Sequence, residues 1–173
     1  QGLCDNTGRN GRVRAMRRCK GRNAMERRIV PDVVRDQKLV QVAETMTVRE
    51  AASLMAKRHV GAVLVMEGSR LAGIFTERDL MGRVVAAGLD PDRTPLGQVM
   101  TRNPDTIGGH EAAIEAVRKM QRFGYRHLPV VQDGKVVGII SVRDLYGAVL
   151  DELEEDLKDR DAFIHGTSYG MTN

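Results

Sequence analysis

Past residue 38 the apolar positions fall into a regular succession of periods. Residues 39–42 read as a short extended piece, and Val48, Ala51, Ala52 and Met55 then recur at helical spacing. The run Thr47-Val48-Arg49-Glu50 ahead of that stripe has the form of a capping box. Residues 62–66 form a continuous apolar run that predicts a buried strand, residues 70–75 a second strand after a tight turn, and Thr76 the start of another helix. The same order then returns. Residues 105–107 are extended, Ala113, Ala116, Val117, Met120 and Phe123 make a helical stripe, and 128–131 and 135–140 are strands around an Asp133-Gly134 hairpin signal. A closing helix begins at Ser141. The predicted order is β-α-β-β-α, twice.

The two halves match in residues as well as in pattern. Gly73-Ile74-Phe75-Thr76-Glu77-Arg78-Asp79-Leu80 returns 65 positions later as Gly138-Ile139-Ile140-Ser141-Val142-Arg143-Asp144-Leu145. At that offset Glu50-Ala51 meets Glu115-Ala116, Met55 meets Met120, Val65 meets Val130 and Gly82 meets Gly147. One gap-free offset over this span identifies two copies of a single supersecondary unit. The organisation expected is a leader over 1–24, a first repeat over 25–87, a linker over 88–101, a second repeat over 102–150 and an acidic tail over 151–173. Within the linker, Thr94-Pro95 predicts a short helix with Thr94 as cap and Pro95 in its first position. The tail predicts a helix with Val149, Leu150, Leu153 and Leu157 on one side, serving either as a solvated surface helix or as packing between subunits.

Charge changes this picture only at one end. The 173-residue chain carries a net +4, but residues 1–28 hold 9 Lys/Arg against 2 Asp/Glu and the remainder holds 18 against 21. The basic excess therefore belongs to the leader, and with six aromatics and no Trp the body offers no stacking platform for single-stranded nucleic acid. Without helical or strand period, the leader reads as disordered: either an artificial extension ahead of a natural start at Met25, or a basic arm for nucleic acid or anionic lipid. Both cysteines, Cys4 and Cys19, lie in it, which leaves the body without a thiolate metal site and fits a reducing cytoplasm. The longest apolar stretch, residues 60–66, falls far short of the roughly 20 residues a membrane helix needs.

The repeated Thr/Ser-x-x-Asp motif carries the candidate chemistry. In one reading it is a plain helix start, with a hydroxyl capping an amide and an aspartate answering the dipole. In the other, a helix start at the end of a buried strand presents amides to phosphate, the hydroxyl of Thr76 or Ser141 adds a bond, and Asp79 or Asp144 accepts from a ribose diol. Arg78 and Arg143 supply cations one residue earlier. His127 is either a ligand contact or a histidine at a domain seam, and Arg126 either reaches phosphate or pairs with an acid of the other repeat. His59, His110 and His165 show no metal-ligand spacing.

The duplicated unit and its closing Gly-h-x-Thr/Ser-x-x-Asp resemble the CBS (cystathionine β-synthase) domain pair, or Bateman module, over about residues 30–150. Met100-Thr101-Arg102-Asn103-Pro104 and Arg126-His127-Leu128-Pro129-Val130-Val131 strengthen the likeness. The resemblance implies a mixed α/β (α+β) fold whose two repeats pack with pseudo-two-fold symmetry. It also implies two clefts binding adenosyl ligands: AMP, ADP, ATP, NAD or S-adenosylmethionine. The family pattern carried onto this chain places Thr76, Asp79, Ser141 and Asp144 on phosphate and ribose. It places Ala62, Val63, His127, Leu128 and Pro129 around adenine. The differing strand starts, Gly61-Ala62-Val63-Leu64 against Arg126-His127-Leu128-Pro129, predict unequal affinities.

The function expected is a stand-alone regulatory module that senses energy or redox state and signals to a separate, unidentified protein. The alternative is a ligand-free homodimeric scaffold in which the motifs are only caps. An enzyme is not expected, since no nucleophile-base order, metal set or P-loop is readable. A cytoplasmic homodimer is expected, paired through the closing helices of both copies, which carry Leu80, Met81 and Val84 in the first and Leu145, Tyr146 and Val149 in the second.

Overall fold

A computed structural model describes residues 27–148. The leader over 1–24, the acidic tail and Val149 lie outside them. The chain is mixed α and β, built as two units of the predicted order. In the first, β1 (Gln41–Ala43) runs parallel to β2 (Ala62–Glu67) across the crossover helix α1 (Val48–Arg58), and β3 (Arg70–Thr76) returns antiparallel to β2. Helix α2 (Glu77–Asp79) then continues in a wider winding over Leu80–Val85. Helix α3 (Leu96–Val99) and β4 (Thr101–Arg102) follow, β4 completing a sheet of order β1-β2-β3-β4. The second unit has β5 (Ile107–Gly108), α4 (Ala113–Phe123), β6 (His127–Gln132) and β7 (Lys135–Ser141) in a three-stranded sheet. Residues 142–148 are helical and are called α5.

The local reasons are those the pattern predicts. Thr47 accepts from Glu50 N, and Glu50 accepts from Thr47 N at 3.0 Å, so the capping box closes α1 at its start. Val48, Ala51 and Met55 bury one face of α1, and Ala113, Ala116 and Met120 bury the same face of α4. Each hairpin also carries one register shift, at Val65/Met66 and at Val130/Val131, again 65 residues apart.

The linker helix starts one residue later than the sequence predicts. Pro95 is the N-cap and α3 begins at Leu96, while the Thr94 hydroxyl donates to Asp90 O at 2.7 Å rather than capping. That bond holds the Thr94 side chain in the preceding turn, on Asp90 O.

The segments leading into each repeat are exchanged. Residues 94–100 return to the first core: Leu96 N donates to Met46 O at 2.8 Å, Gly97 N to Glu44 O at 2.9 Å, and Val48 N to Thr94 O at 2.9 Å. Residues 27–34, expected to open the first repeat, pack instead on the second core. Ile29 N donates to Glu111 O at 3.0 Å, Val30 N to Gly109 O at 2.8 Å, and Ala113 N to Arg27 O at 2.8 Å. Leu96, Val99 and Met100 accordingly join Val48, Val63 and Phe75 in one core, and Ile29 and Val34 join Leu128, Val130 and Ile140 in the other.

The repeated glycine before each motif makes this exchange possible. A Cβ on Gly73 would lie 2.5 Å from Met100 Sδ, and one on Gly138 would lie 2.6 Å from Val34 Cγ1. Only glycine lets the crossing segment come so close to the strand.

Of the apolar residues expected to pair two subunits, Val84 and Leu145 are buried in their own cores. Leu80 is half-buried against the first core, while Met81 and Tyr146 are 69% and 66% exposed. The helical period turns Val84 and Leu145 inward because each core needs a lid over its sheet. No helix among the described residues is long and apolar enough to cross a membrane.

Candidate functional site

Each motif sits where a buried strand hands over to a helix, and both adopt the same bonded form. Thr76 N and Oγ1 donate to Asp79 Oδ2 at 3.0 and 2.7 Å, and Asp79 N donates back to Thr76 Oγ1 at 3.3 Å. Ser141 N and Oγ donate to Asp144 Oδ2 at 2.7 and 2.8 Å, and Asp144 N donates to Ser141 Oγ at 3.3 Å. The helix-cap geometry is therefore present in both copies. It engages Oδ2 in both copies, so capping and ligand binding do not compete for the same oxygen, although Oδ1 of Asp79 is met by Arg83 Nε at 3.3 Å.

The amides are less free than the motif alone implies. Glu77 N donates to Gly61 O and Val142 N to Arg126 O, each at 3.1 Å, and the amides of Asp79 and Asp144 serve the caps. Of the first three amides in each helix, only those of Arg78 and Arg143 lack a partner among the described residues.

Two clefts lie between the repeats, each joining the motif of one to the strand start of the other. The first, about 490 Å³, places Thr76, Arg78 and Asp79 opposite Tyr125, His127 and Leu128. The second, about 880 Å³, places Ser141, Arg143 and Asp144 opposite His59, Gly61 and Ala62. Both volumes suit a nucleotide-sized molecule. Val63 and Pro129 differ from the expectation. Both are fully buried and line neither cleft, because side chains alternate along a strand and these two face inward.

His127 lines both clefts. Its imidazole lies against Gly61, where a Cβ would come within 3.2 Å of Cε1 and of Nε2. Burial holds its pKa below the ordinary value, against the pull of Glu77 and Asp144, and Arg126 adds to the lowering. The ring thus stands at the seam of the two repeats and on the wall of each cleft, so the two readings of this histidine merge. Arg126 also borders both clefts.

The contacts that tie the lining together are visible only in three dimensions. Arg83 lies 3.3 Å from Asp79 Oδ1 through Nε and donates to Val99 O at 2.9 Å, tying the buried aspartate to the exchanged segment. Arg78 donates to Gly124 O at 2.9 Å, bridging from α2 to the end of α4. Tyr125 OH donates to Asp105 Oδ2 at 2.6 Å, which raises the phenol pKa, and its ring stacks on Phe123 with centroids 5.5 Å apart. The i, i+4 spacing of Asp79 and Arg83 was the one readable sign of this set.

Comparison with known proteins agrees with this architecture. The family model described as CBS domain matches twice, over residues 25–86 and 96–151. The CBS domain-containing protein CBSCBSPB2 of Arabidopsis thaliana is 42% identical over 118 residues, covering 67% of this chain and 22% of that protein. The chain therefore spans about a fifth of the length of this plant relative. A signal-transduction protein with CBS domains from Burkholderia ambifaria is 33% identical at a TM-score of 0.65, covering 67% of this chain and 85% of that one. A CBS domain protein from Pyrobaculum aerophilum, solved in complex with AMP, is 31% identical at a TM-score of 0.62, covering 71% and 96%. With two matched repeats, an exchanged pair of cores and a shared cleft-lining motif, the chain belongs to the CBS domain family.

Proposed function

We propose that this chain is a non-catalytic regulatory module that binds adenosyl ligands in its two clefts and transmits occupancy to a separate protein. The observation that carries the reading is the crossed construction of the clefts. Each pairs a hydroxyl, an arginine and an aspartate from one repeat with an apolar strand start from the other. The aspartates can accept from a ribose diol while still capping their helices, and a ligand that touches both repeats biases their arrangement. The AMP bound to the Pyrobaculum relative supports the ligand class. AMP, ADP, ATP, NAD and S-adenosylmethionine all carry the adenosine that this geometry suits, so the sensed quantity is energy charge, redox state or methyl-donor supply.

The satisfied caps favour a second reading, a ligand-free homodimeric scaffold. Titration calorimetry with AMP, ATP and NAD separates the two. On the sensor reading, with adenosine added to these probes, Asp79→Ala and Asp144→Ala each weaken whichever adenosyl ligand occupies their own cleft by roughly 10- to 150-fold, as loss of charged hydrogen bonds predicts. Wild-type protein that binds none of them at about millimolar concentration counts against the sensor, and a dimer in sedimentation would then support the scaffold.

A further inference from the structure

The two clefts are built alike but not charged alike. Four arginines border the first, at positions 78, 83, 102 and 126, against the carboxylates of Glu77, Asp79 and Asp105. Arg126 and Arg143 border the second against Glu77 and Asp144, so cations no longer exceed carboxylates. Both walls carry apolar residues, Ala52, Met55, Leu80 and Ile139 in the second and Ile74, Phe123 and Leu128 in the first, but the volume of the second is nearly twice that of the first. Two arginines, Arg83 and Arg102, make the difference, and Arg102 is already engaged by Glu44 and Gly97 O, which leaves Arg83. Arg83 borders the first cleft, and 65 residues later stands Ala148. Arg83 is half exposed, and its contacts with Asp79 and Val99 leave guanidinium N–H groups to spare.

Resting on the adenosyl reading above, we infer that the clefts divide their ligands by charge. The first takes an adenosine ligand bearing phosphate, the second an adenosine ligand bearing none, and Arg83 sets the distinction. Phosphate needs cations that stay charged and bind in a fork, which is what arginine supplies. An uncharged 5′ substituent gains from apolar surface and from room, and a phosphate placed there would lose water without gaining an excess of cations.

The test uses the full chain with AMP and adenosine as probes. Crystals of the two complexes should show AMP in the first cleft and adenosine in the second. By calorimetry Arg83→Met should weaken AMP by roughly 10- to 150-fold and leave adenosine within about twofold, as for a distant site. Arg83→Lys should recover only part of the AMP affinity, because it restores the charge and not the fork. Ala148→Arg should create a second AMP site. Should Arg83→Met not fold, the gain of AMP binding in Ala148→Arg and the salt dependence of wild-type AMP binding still decide. Both ligands in the same cleft, or no gain of AMP binding in Ala148→Arg, would overturn the division by charge and leave the adenosyl reading intact. If neither AMP nor adenosine binds, the adenosyl reading itself falls and takes the division with it.

Discussion

The two repeats agree with each other more closely in their bodies than in the segments that lead into them. From Thr47 and Ala112 onward every structural equivalence falls at 65 residues, including the bulges and the motifs. The lead-in segments are equivalent too, but 67 residues apart: Leu96 corresponds to Ile29, and Asn103, with φ 44°, to Asp36, with φ 43°. Two extra residues therefore lie between Asp36 and β1. The same backbone bonds are made by different means, through the short helix α3 in one case and a turn over Ile29–Val33 in the other. Beyond them, β4 pairs with β3 in the first unit, whereas in the second Ile139 N donates to the Gln37 side chain at 2.7 Å. What the duplication preserves is the crossing, not its secondary structure.

The largest expected effect tests that crossing. Ile29 and Leu96 are fully buried, each in the core of the repeat it crosses to. Ile29→Ala and Leu96→Ala should each cost about 2–5 kcal/mol, the range for emptying a buried aliphatic site. Urea unfolding of the two variants measures it. A cost below about 1 kcal/mol at Ile29 would mean that the second core closes without its lead-in segment, and the equivalence at 67 residues would be broken.

This contrast also explains what was legible in the sequence. The helices, hairpins and motifs were readable because periodicity and a gap-free repeat carry them. The exchange was not. A two-residue insertion breaks the repeat register ahead of β1, and residues 27–36 share almost no side chains with residues 94–103. The glycine before each motif was readable as repeated, but its reason, the close approach of Met100 or Val34, belongs to tertiary packing. Thr76, Arg78, Asp79 and Ser141, Arg143, Asp144 were found because they are local in sequence. Arg83 and Tyr125 were missed as lining residues because the cleft brings distant segments together. Val63 and Pro129 line neither cleft because the family pattern marks a strand, and only pleat and twist decide which of its residues face the cleft.

A sharper comparison sets the two caps against each other. Asp79 is buried and held by Arg83 as well as by Thr76, whereas Asp144 is exposed and, among the described residues, held by Ser141. Asp144→Ala should cost about 0.5–1 kcal/mol of stability and Asp79→Ala about 1–2 kcal/mol, within the range for helix N-caps. The excess at Asp79 comes from desolvation of the orphaned Thr76 amide more than from the ion pair, because Arg83 is half exposed and its charge is screened. Paired thermal melts measure the difference, and equal losses would show that the two caps are energetically the same.

His127 offers a break by pH. Its counterpart at 65 residues is Ala62, so no second imidazole stands at the equivalent position. Burial lowers its folded pKa below 6.5. The unfolded chain thus takes up the proton first, and the ring's contribution to stability is present above pH 6.5 and lost as pH falls through the folded pKa. His127→Gln should flatten the stability curve in that window while leaving it parallel to wild type above neutrality. Denaturant midpoints from pH 7.5 to 5 (about the range over which histidine titrates) test this. An unchanged acid slope would assign the titration to other groups.

The smallest effect concerns how the two crossover helices end. Helix α1 stops at His59 with φ 55°, and α4 at Gly124 with φ 71°, again 65 residues apart. Left-handed backbone suits glycine and costs a side-chain-bearing residue about 1 kcal/mol or more, because its Cβ crowds the neighbouring carbonyl. His59→Gly relieves that crowding but makes the unfolded chain more mobile, which returns part of the gain. The net expectation is a stabilisation of a few tenths to about 1 kcal/mol, a rise of up to about 4 °C in Tm. The reverse change, Gly124→Ala, should lower stability by about 1 kcal/mol. If His59→Gly is instead destabilising, the imidazole on the wall of the second cleft contributes packing that outweighs its backbone strain, and the two helix ends, alike in dihedral angle, are unlike in what holds them.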